Sequence, residues 1–195
     1  EVDGLNNGLQ EGGVAWGDFD SDGDLDIACS GYSSGGIPQL RIYKNNGNGT
    51  IDATQIEVDG AGNGLYSGNV AWGDFDNDGD LDLTISGTND DTNGELRVYE
   101  NNGNGTMDPV QIDIDGANGG LYGNTAWGDF DNDGDLDILG CGWSVAGRQL
   151  RVYSNNGNGT IDFAQIEVDG LNNGLSGTVA WGDMDADNDL DILLS

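Results

Sequence analysis

"AWGDFDSDGDLDIACSG", residues 15–31, places five aspartates in the nine positions from Asp18 to Asp26. Like charges packed this densely repel one another unless a cation sits among them. The tract also recurs. Five-aspartate sets begin again at Asp74, Asp129 and Asp183, and the tryptophan of "AWGD" stands at Trp16, Trp72, Trp127 and Trp181, with spacings of 56, 55 and 54. Self-similarity at a fixed period of this length is the signature of a repeat architecture.

Other segments keep the same period. "LRIYKNNGNGT" at Leu40 returns as "LRVYENNGNGT" at Leu96 and "LRVYSNNGNGT" at Leu150. "EVDGLNNGL" at Glu1 returns unchanged at Glu167, with relatives at Glu57 and Asp113. Within one period the patterns predict four strands: 14–18, 25–30, 39–43 and 50–58, with "NNGNG" as a hairpin turn before the last. No window sustains a helical period. Four short strands in about 55 residues is the content of one propeller blade, whose two faces are both buried against neighbours. The expected fold is therefore all-β: a single domain over 1–195 of propeller-type, four-stranded blades. Blades fall at about 12–58, 68–114 and 123–169, with a half blade at 177–195. A closed propeller has at least four blades. Three and a half imply either a segment of a longer repetitive chain or open edges that pair between copies.

The 195 residues include 36 acidic and 5 basic ones, for a formal charge of −31. Such a balance argues against nucleic acid, whose phosphates need Lys and Arg. Twenty of the acids stand in the four loops, and the remainder leaves about −11, an ordinary acidic surface. The charge is localised, and localised charge points to sites. No apolar run is long enough to span a membrane, and the residues from Glu1 do not form a signal peptide. Cys29 and Cys141 lie two repeats apart on opposite faces of equivalent strands and are expected to be free thiols.

In "DFDSDGDLD", side-chain carboxylates fall at positions 1, 3, 5 and 9, and glycine at 6 permits a sharp bend. Position 7 can offer its backbone carbonyl. This is hard oxygen ligation, which suits Ca²⁺; Zn²⁺ would call for sulfur or imidazole, and the chain has no histidine. Mg²⁺ fits less well because it retains waters and demands a strict octahedron. An EF-hand needs glutamate at position 12, where the second copy has Ile85, and it needs flanking helices.

"GDFDNDGDLDL" followed by "LRVYENNGNGT" resembles the FG-GAP/VCBS repeat, the blade unit of integrin α-like propellers and of some lectins. The resemblance spans the chain and implies about four Ca²⁺ ions, one in each loop joining a blade's first two strands. The implied ligands are Asp18, Asp20, Asp22, Asp24 (through its carbonyl) and Asp26 in the first copy. They are Asp74, Asp76, Asp78, Asp80 and Asp82 in the second, and Asp129, Asp131, Asp133, Asp135 and Asp137 in the third. The fourth copy keeps Asp183, Asp185, Asp187, Asp189 and Asp191 but has Asn188 for the glycine, a residue that tolerates the left-handed conformation.

Residues that are identical in every repeat are expected to serve the fold: the tryptophans as blade packing, and Arg41, Arg97 and Arg151 as partners of carboxylates between blades. Ligand sites are sought where the repeats differ. Sixteen residues after each tryptophan stand Tyr32, Thr88 and Trp143. Tyr32 and Trp143, with Arg148 nearby, are candidate glycan contacts. Asn48, Asn104 and Asn158 each open "NGT", an N-glycosylation acceptor sequence. An enzyme is not expected, because no nucleophile has a partner base. The function expected is adhesion or recognition at the cell surface or outside the cell, with a glycan or surface protein as partner. The alternative is a structural unit of an extracellular filament, with further copies of itself as partner.

Overall fold

A computed structural model describes residues 8–58, 60, 62–90, 93–114, 119–162, 166–168 and 177–195. The "EVDGLNN"-type segments at 1–7 and 169–176 lie outside them. The chain is all-β, as the repeat predicts, and among the described residues no helix is long and apolar enough to cross a membrane.

Three antiparallel sheets share one plan. The first contains β1 (Val14–Gly17), β2 (Asp26–Tyr32), β3 (Pro38–Tyr43) and β4 (Ile56–Glu57). The second contains β5 (Val70–Gly73), β6 (Asp82–Gly87), β7 (Glu95–Tyr99) and β8 (Ile112–Asp113). The third contains β9 (Tyr122–Gly128), β10 (Asp137–Ser144), β11 (Gly147–Tyr153) and β12 (Ile166–Glu167). A two-stranded sheet, β13 (Val179–Gly182) with β14 (Asp191–Leu194), follows. Strands within each sheet pair in chain order, and the register repeats: Gly17 faces Asp26, Gly73 faces Asp82, Gly128 faces Asp137 and Gly182 faces Asp191.

The fourth strand is shorter than the expected span of 50–58. Its first residues close the "NNGNG" turn, where Asn46 donates to the Thr50 carbonyl and Asp52 to that of Lys44. The chain then bends at 53–54 and rejoins the sheet only at Ile56. Pro109, at the equivalent bend of the second copy, has no amide to pair.

The hydrophobic core lies between sheets. One cluster joins Phe19, Leu40 and Ile42 of the first blade to Val70, Leu83 and Ile85 of the second. A second joins Phe75, Leu96 and Val98 to Ile138 and Tyr153, and a third joins Leu139, Leu150 and Val152 to Val179. All six residues of β6 are buried, as a strand covered on both faces must be.

Each joint is keyed by the tryptophan of the following blade. Trp72 packs on Phe19 with ring centroids 6.1 Å apart, Trp127 on Phe75 at 6.2 Å, and Trp181 on Phe130 at 5.8 Å. The ring also lies over the glycine that ends the preceding blade's first strand. A Cβ on Gly17 would fall 2.5 Å from Trp72, one on Gly73 2.7 Å from Trp127, and one on Gly128 2.5 Å from Trp181. "AWGD" therefore encodes both halves of a joint: a tryptophan directed backward and a glycine that receives the next one. The arc does not close, because Val14 on the first sheet is 64% exposed and Gly182 on the last faces open space.

Candidate metal centre

The acidic tract forms the connection between the first two strands of each blade, and its bend is local. Position 4 adopts positive φ in every copy (Ser21, Asn77, Asn132, Ala186), and so does position 6 (Gly23, Gly79, Gly134, Asn188). Asn188, at φ 74°, takes the conformation its glycine counterparts take. Position 1 ties the loop: Asp18 accepts from the backbone amides of Asp22 and Gly23, both at 3.0 Å. Asp74, Asp129 and Asp183 accept from their equivalents at 3.0–3.2 Å.

This curl turns carboxylates toward one centre. Oxygens of Asp18, Asp20 and Asp22 lie within 4.8 Å of one another, as do those of Asp74, Asp76 and Asp78. In the other two loops the convergent sets are Asp129, Asp131 and Asp137, and Asp183, Asp185 and Asp191. The side chain of position 7 turns away. Asp135 accepts from Asn77 of the preceding blade at 2.6 Å, and Asp189 accepts from Asn132 at 2.9 Å.

Position 9 has a second task that the sequence did not announce. Asp26 accepts from the amides of Phe19 (3.0 Å) and Asn45 (2.7 Å), stapling the acidic loop to the "NNGNG" turn. Asp82 does the same with Phe75 and Asn101 at 2.7 Å each, and Asp137 with Phe130 (2.8 Å) and Asn155 (2.9 Å). The first asparagine of that turn, read from sequence only as a turn former, also reaches the preceding blade. Asn101 Nδ2 donates to the Phe19 carbonyl at 2.8 Å, and Asn155 Nδ2 to that of Phe75 at 2.7 Å. The loops therefore belong to the joints as well as to their own blades.

The electrostatics favour a cation. Burial, with repulsion from neighbouring loop carboxylates, raises Asp26 and Asp137 and pushes Asp82 up to about 7, against the pull of the two amides each accepts. Asp76 and Asp131 are raised by the same two causes. Asp20 Oδ1 is shielded from solvent yet has no hydrogen-bond partner. An orphaned, buried carboxylate oxygen beside convergent acids, with no soft donor near, fits a hard oxygen-seeking ion.

The loops differ at one neighbouring position. Lys44 enters the first, 2.5 Å from Asp20 Oδ2 and 5.8 Å from the Phe19 ring centroid. Its counterpart in the second is Glu100, raised by burial and by Asp76, Asp108 and Asp78. In the third it is Ser154.

The arginines were expected to pair with carboxylates between blades; among the described residues the ion pairs they form lie within one sheet. Arg41 pairs with Glu57 at 3.1 Å, and Arg97 pairs with Glu95, all within one sheet. Their reach toward the neighbouring connection is to carbonyls: Arg97 donates to Asn63 at 2.6 Å and Arg151 to Gly119 at 2.8 Å. A guanidinium offers five donors, enough for both tasks.

The β2–β3 hairpin ends lie opposite the acidic loops. Tyr32 donates to Glu11 at 3.0 Å and meets Tyr66 edge-on at 5.3 Å, beside a cavity of about 270 Å³ also lined by Pro38 and Asn89. Trp143 is 41% exposed, and the Arg148 guanidinium lies over it at 4.8 Å. Tyr32 and the Trp143–Arg148 pair belong to different hairpins, two blades apart. Tyr66, supplied by the next blade, was not legible as a partner of Tyr32. Asn48, Asn104 and Asn158 are exposed at their turns, each accepting from the threonine two residues on at 2.5–2.6 Å. Neither Cys29 nor Cys141 forms a disulfide.

A family model described as an FG-GAP-like repeat matches residues 18–85, 83–140 and 143–194. No curated protein matches the chain.

Proposed function

Because the chain belongs to the FG-GAP-like repeat family, we propose that it is a Ca²⁺-stabilised recognition protein that works outside the cell and binds glycans through its hairpin ends. The observation that carries this reading is the fourfold convergence of carboxylates in loops that also hold the joints. In the first loop Asp18, Asp20, Asp22 and Asp26 would hold the ion with the Asp24 carbonyl, and their counterparts would do so in the other three. The ion supplies charge neutralisation and multidentate oxygen coordination. The residues do the rest: Asp18 fixes the curl, and Asp26 ties it to the turn.

Extracellular calcium modules work at dissociation constants of about 10⁻⁴–10⁻³ M, which suits a fastener in a calcium-rich medium. With no histidine in the chain and its acids engaged in loops, the reading is binding rather than catalysis. Trp143, half-exposed with the Arg148 guanidinium over its ring, sets an aromatic surface beside a charged hydrogen-bond donor, a combination suited to holding a sugar. A glycan array probed in millimolar calcium and again in EDTA tests this. Calcium-dependent binding that Trp143→Ala weakens is the expected result; no binding in calcium, or binding indifferent to Trp143, contradicts the glycan assignment.

A further inference from the structure

At the hairpin end, the joint between the first two blades opens into the cavity of about 270 Å³. Glu11, Tyr32, Gly36 and Pro38 line it from the first blade, and Tyr66 and Asn89 from the second. Both walls are four-stranded blades of this chain. The acid is placed by the backbone. Glu11 takes a left-handed φ of 53°, uncommon for a residue other than glycine, and its carbonyl accepts from the Ser67 amide across the joint at 2.5 Å. Its Oε1 accepts from the Tyr32 hydroxyl at 3.0 Å, and Tyr66 stands at 88° to the Tyr32 ring. Two aromatic rings and a carboxylate therefore border one cavity.

The repeats, otherwise near-identical, differ here. The first copy reads "LQEGG" at 9–13, the second "LYSGN" at 65–69 and the third "LYGN" at 121–124. Glu11 becomes Ser67 in the second and has no counterpart in the third. At the next joint the positions of Glu11, Tyr32 and Tyr66 are held by Ser67, Thr88 and Tyr122, with one aromatic ring and no acid. The carboxylate and the paired rings belong to the first joint.

Among the described residues lining the cavity none is basic, so an acid beside two aromatic rings selects positive charge and rejects anions. The formal charge of −31 adds a field that concentrates cations. Asn89 and the Tyr32 hydroxyl contribute hydrogen-bonding groups suited to ring hydroxyls, which a lysine side chain does not carry. The volume sits at the small end of ligand sites, about 300 Å³, and suits one sugar ring rather than a long oligosaccharide.

We propose that this cleft binds a protonated amino sugar, its ammonium held by Glu11 and its ring against the two tyrosines. Glycan binding at the hairpin ends is the reading on which this rests, but the cleft lies two blades from Trp143 and uses different residues.

Calorimetric titration with glucosamine tests it, at about pH 6, where an amine is charged, and in millimolar calcium so that the acidic loops are filled. Glucosamine is expected to bind, and N-acetylglucosamine, which lacks the charge, to bind about tenfold more weakly. Glu11→Gln keeps an acceptor for Tyr32 and should weaken glucosamine by about tenfold. Tyr66→Leu should weaken it by about twofold to fivefold, while Tyr66→Phe keeps the ring and most of the affinity. Asp52→Asn makes the same change of charge at an exposed turn residue and should leave binding as it is. Thermal melts check that every variant is folded. Equal affinity for the two sugars, an equal loss with Asp52→Asn and Glu11→Gln, or tighter binding of Nα-acetyl-lysine amide overturns the amino-sugar assignment. Absence of heat from both sugars overturns it too, and leaves the Trp143 reading to its own glycan array.

Discussion

Asp82 is shielded from water, accepts two backbone amides and still titrates near 7, chiefly because burial disfavours its charge and Asp76 and Asp78 repel it. Asp26 and Asp137 are displaced in the same direction. The ion-free fold therefore holds protons that the unfolded chain, with ordinary carboxyls near about 4, has released. That stabilisation is complete below the unfolded value and is lost as pH rises through the folded one. In EDTA, thermal melts should show the melting temperature falling from pH 5 to pH 7.5. In saturating calcium the trend should reverse, because protons then compete with the ion; a pH-independent melt in EDTA contradicts this. Lys44 is raised chiefly by its hydrogen bond to Asp20, so it stays charged throughout this range and opposes an incoming cation. Lys44→Ala should tighten calcium binding at the first loop by about threefold to tenfold, the effect of removing one charge at contact distance in a solvated site. Calorimetric titration of the variant reads this directly. The loop carboxylates were legible because their spacing is local. The role of Asp26 as a staple was not, since one of its partners, Asn45, stands 19 residues away in the turn after β3.

Between blades, the decisive contact is a ring on a glycine. Gly73→Ala would drive a methyl into Trp127, and Gly128→Ala one into Trp181, costing about 1–3 kcal/mol each as overpacking does. Gly182→Ala meets open space and should change stability by less than about 0.5 kcal/mol. Urea unfolding of the three variants checks the contrast, and equal losses at all three would contradict the joint as described. Asn155→Ala should cost about 1–3 kcal/mol, since it leaves the Phe75 and Leu136 carbonyls without their donor. The packing role of the tryptophans followed from their identity in every repeat. The glycine beneath each could not be read the same way, because its partner lies in the next period, and "WG" also reads as an ordinary strand end. The arginines show the opposite limit: their pairing with carboxylates was predictable in kind, but which carboxylate each reaches depends on side-chain geometry that spacing does not report.

Across the whole molecule, an acidic loop occupies one end of every sheet, joined in the three four-stranded sheets by an "NNGNG" turn, with the variable hairpins at the other end. Ions at the first end would hold each blade to itself and, through Asn101 and Asn155, to its neighbour, leaving the hairpin ends free to differ. The four-stranded blade plan was legible in the 54–56 residue period, while the fourth strand is shorter than its expected span. At ten times the dissociation constant, each ion would add about 1.4 kcal/mol, and four would raise the melting temperature by about 10–20 °C. The direct test is a calorimetric calcium titration of the EDTA-stripped chain, followed by its thermal melt with and without the ion. About four calcium ions per chain and a rise of that size are expected; no binding heat and an unchanged melt would contradict a calcium-fastened fold.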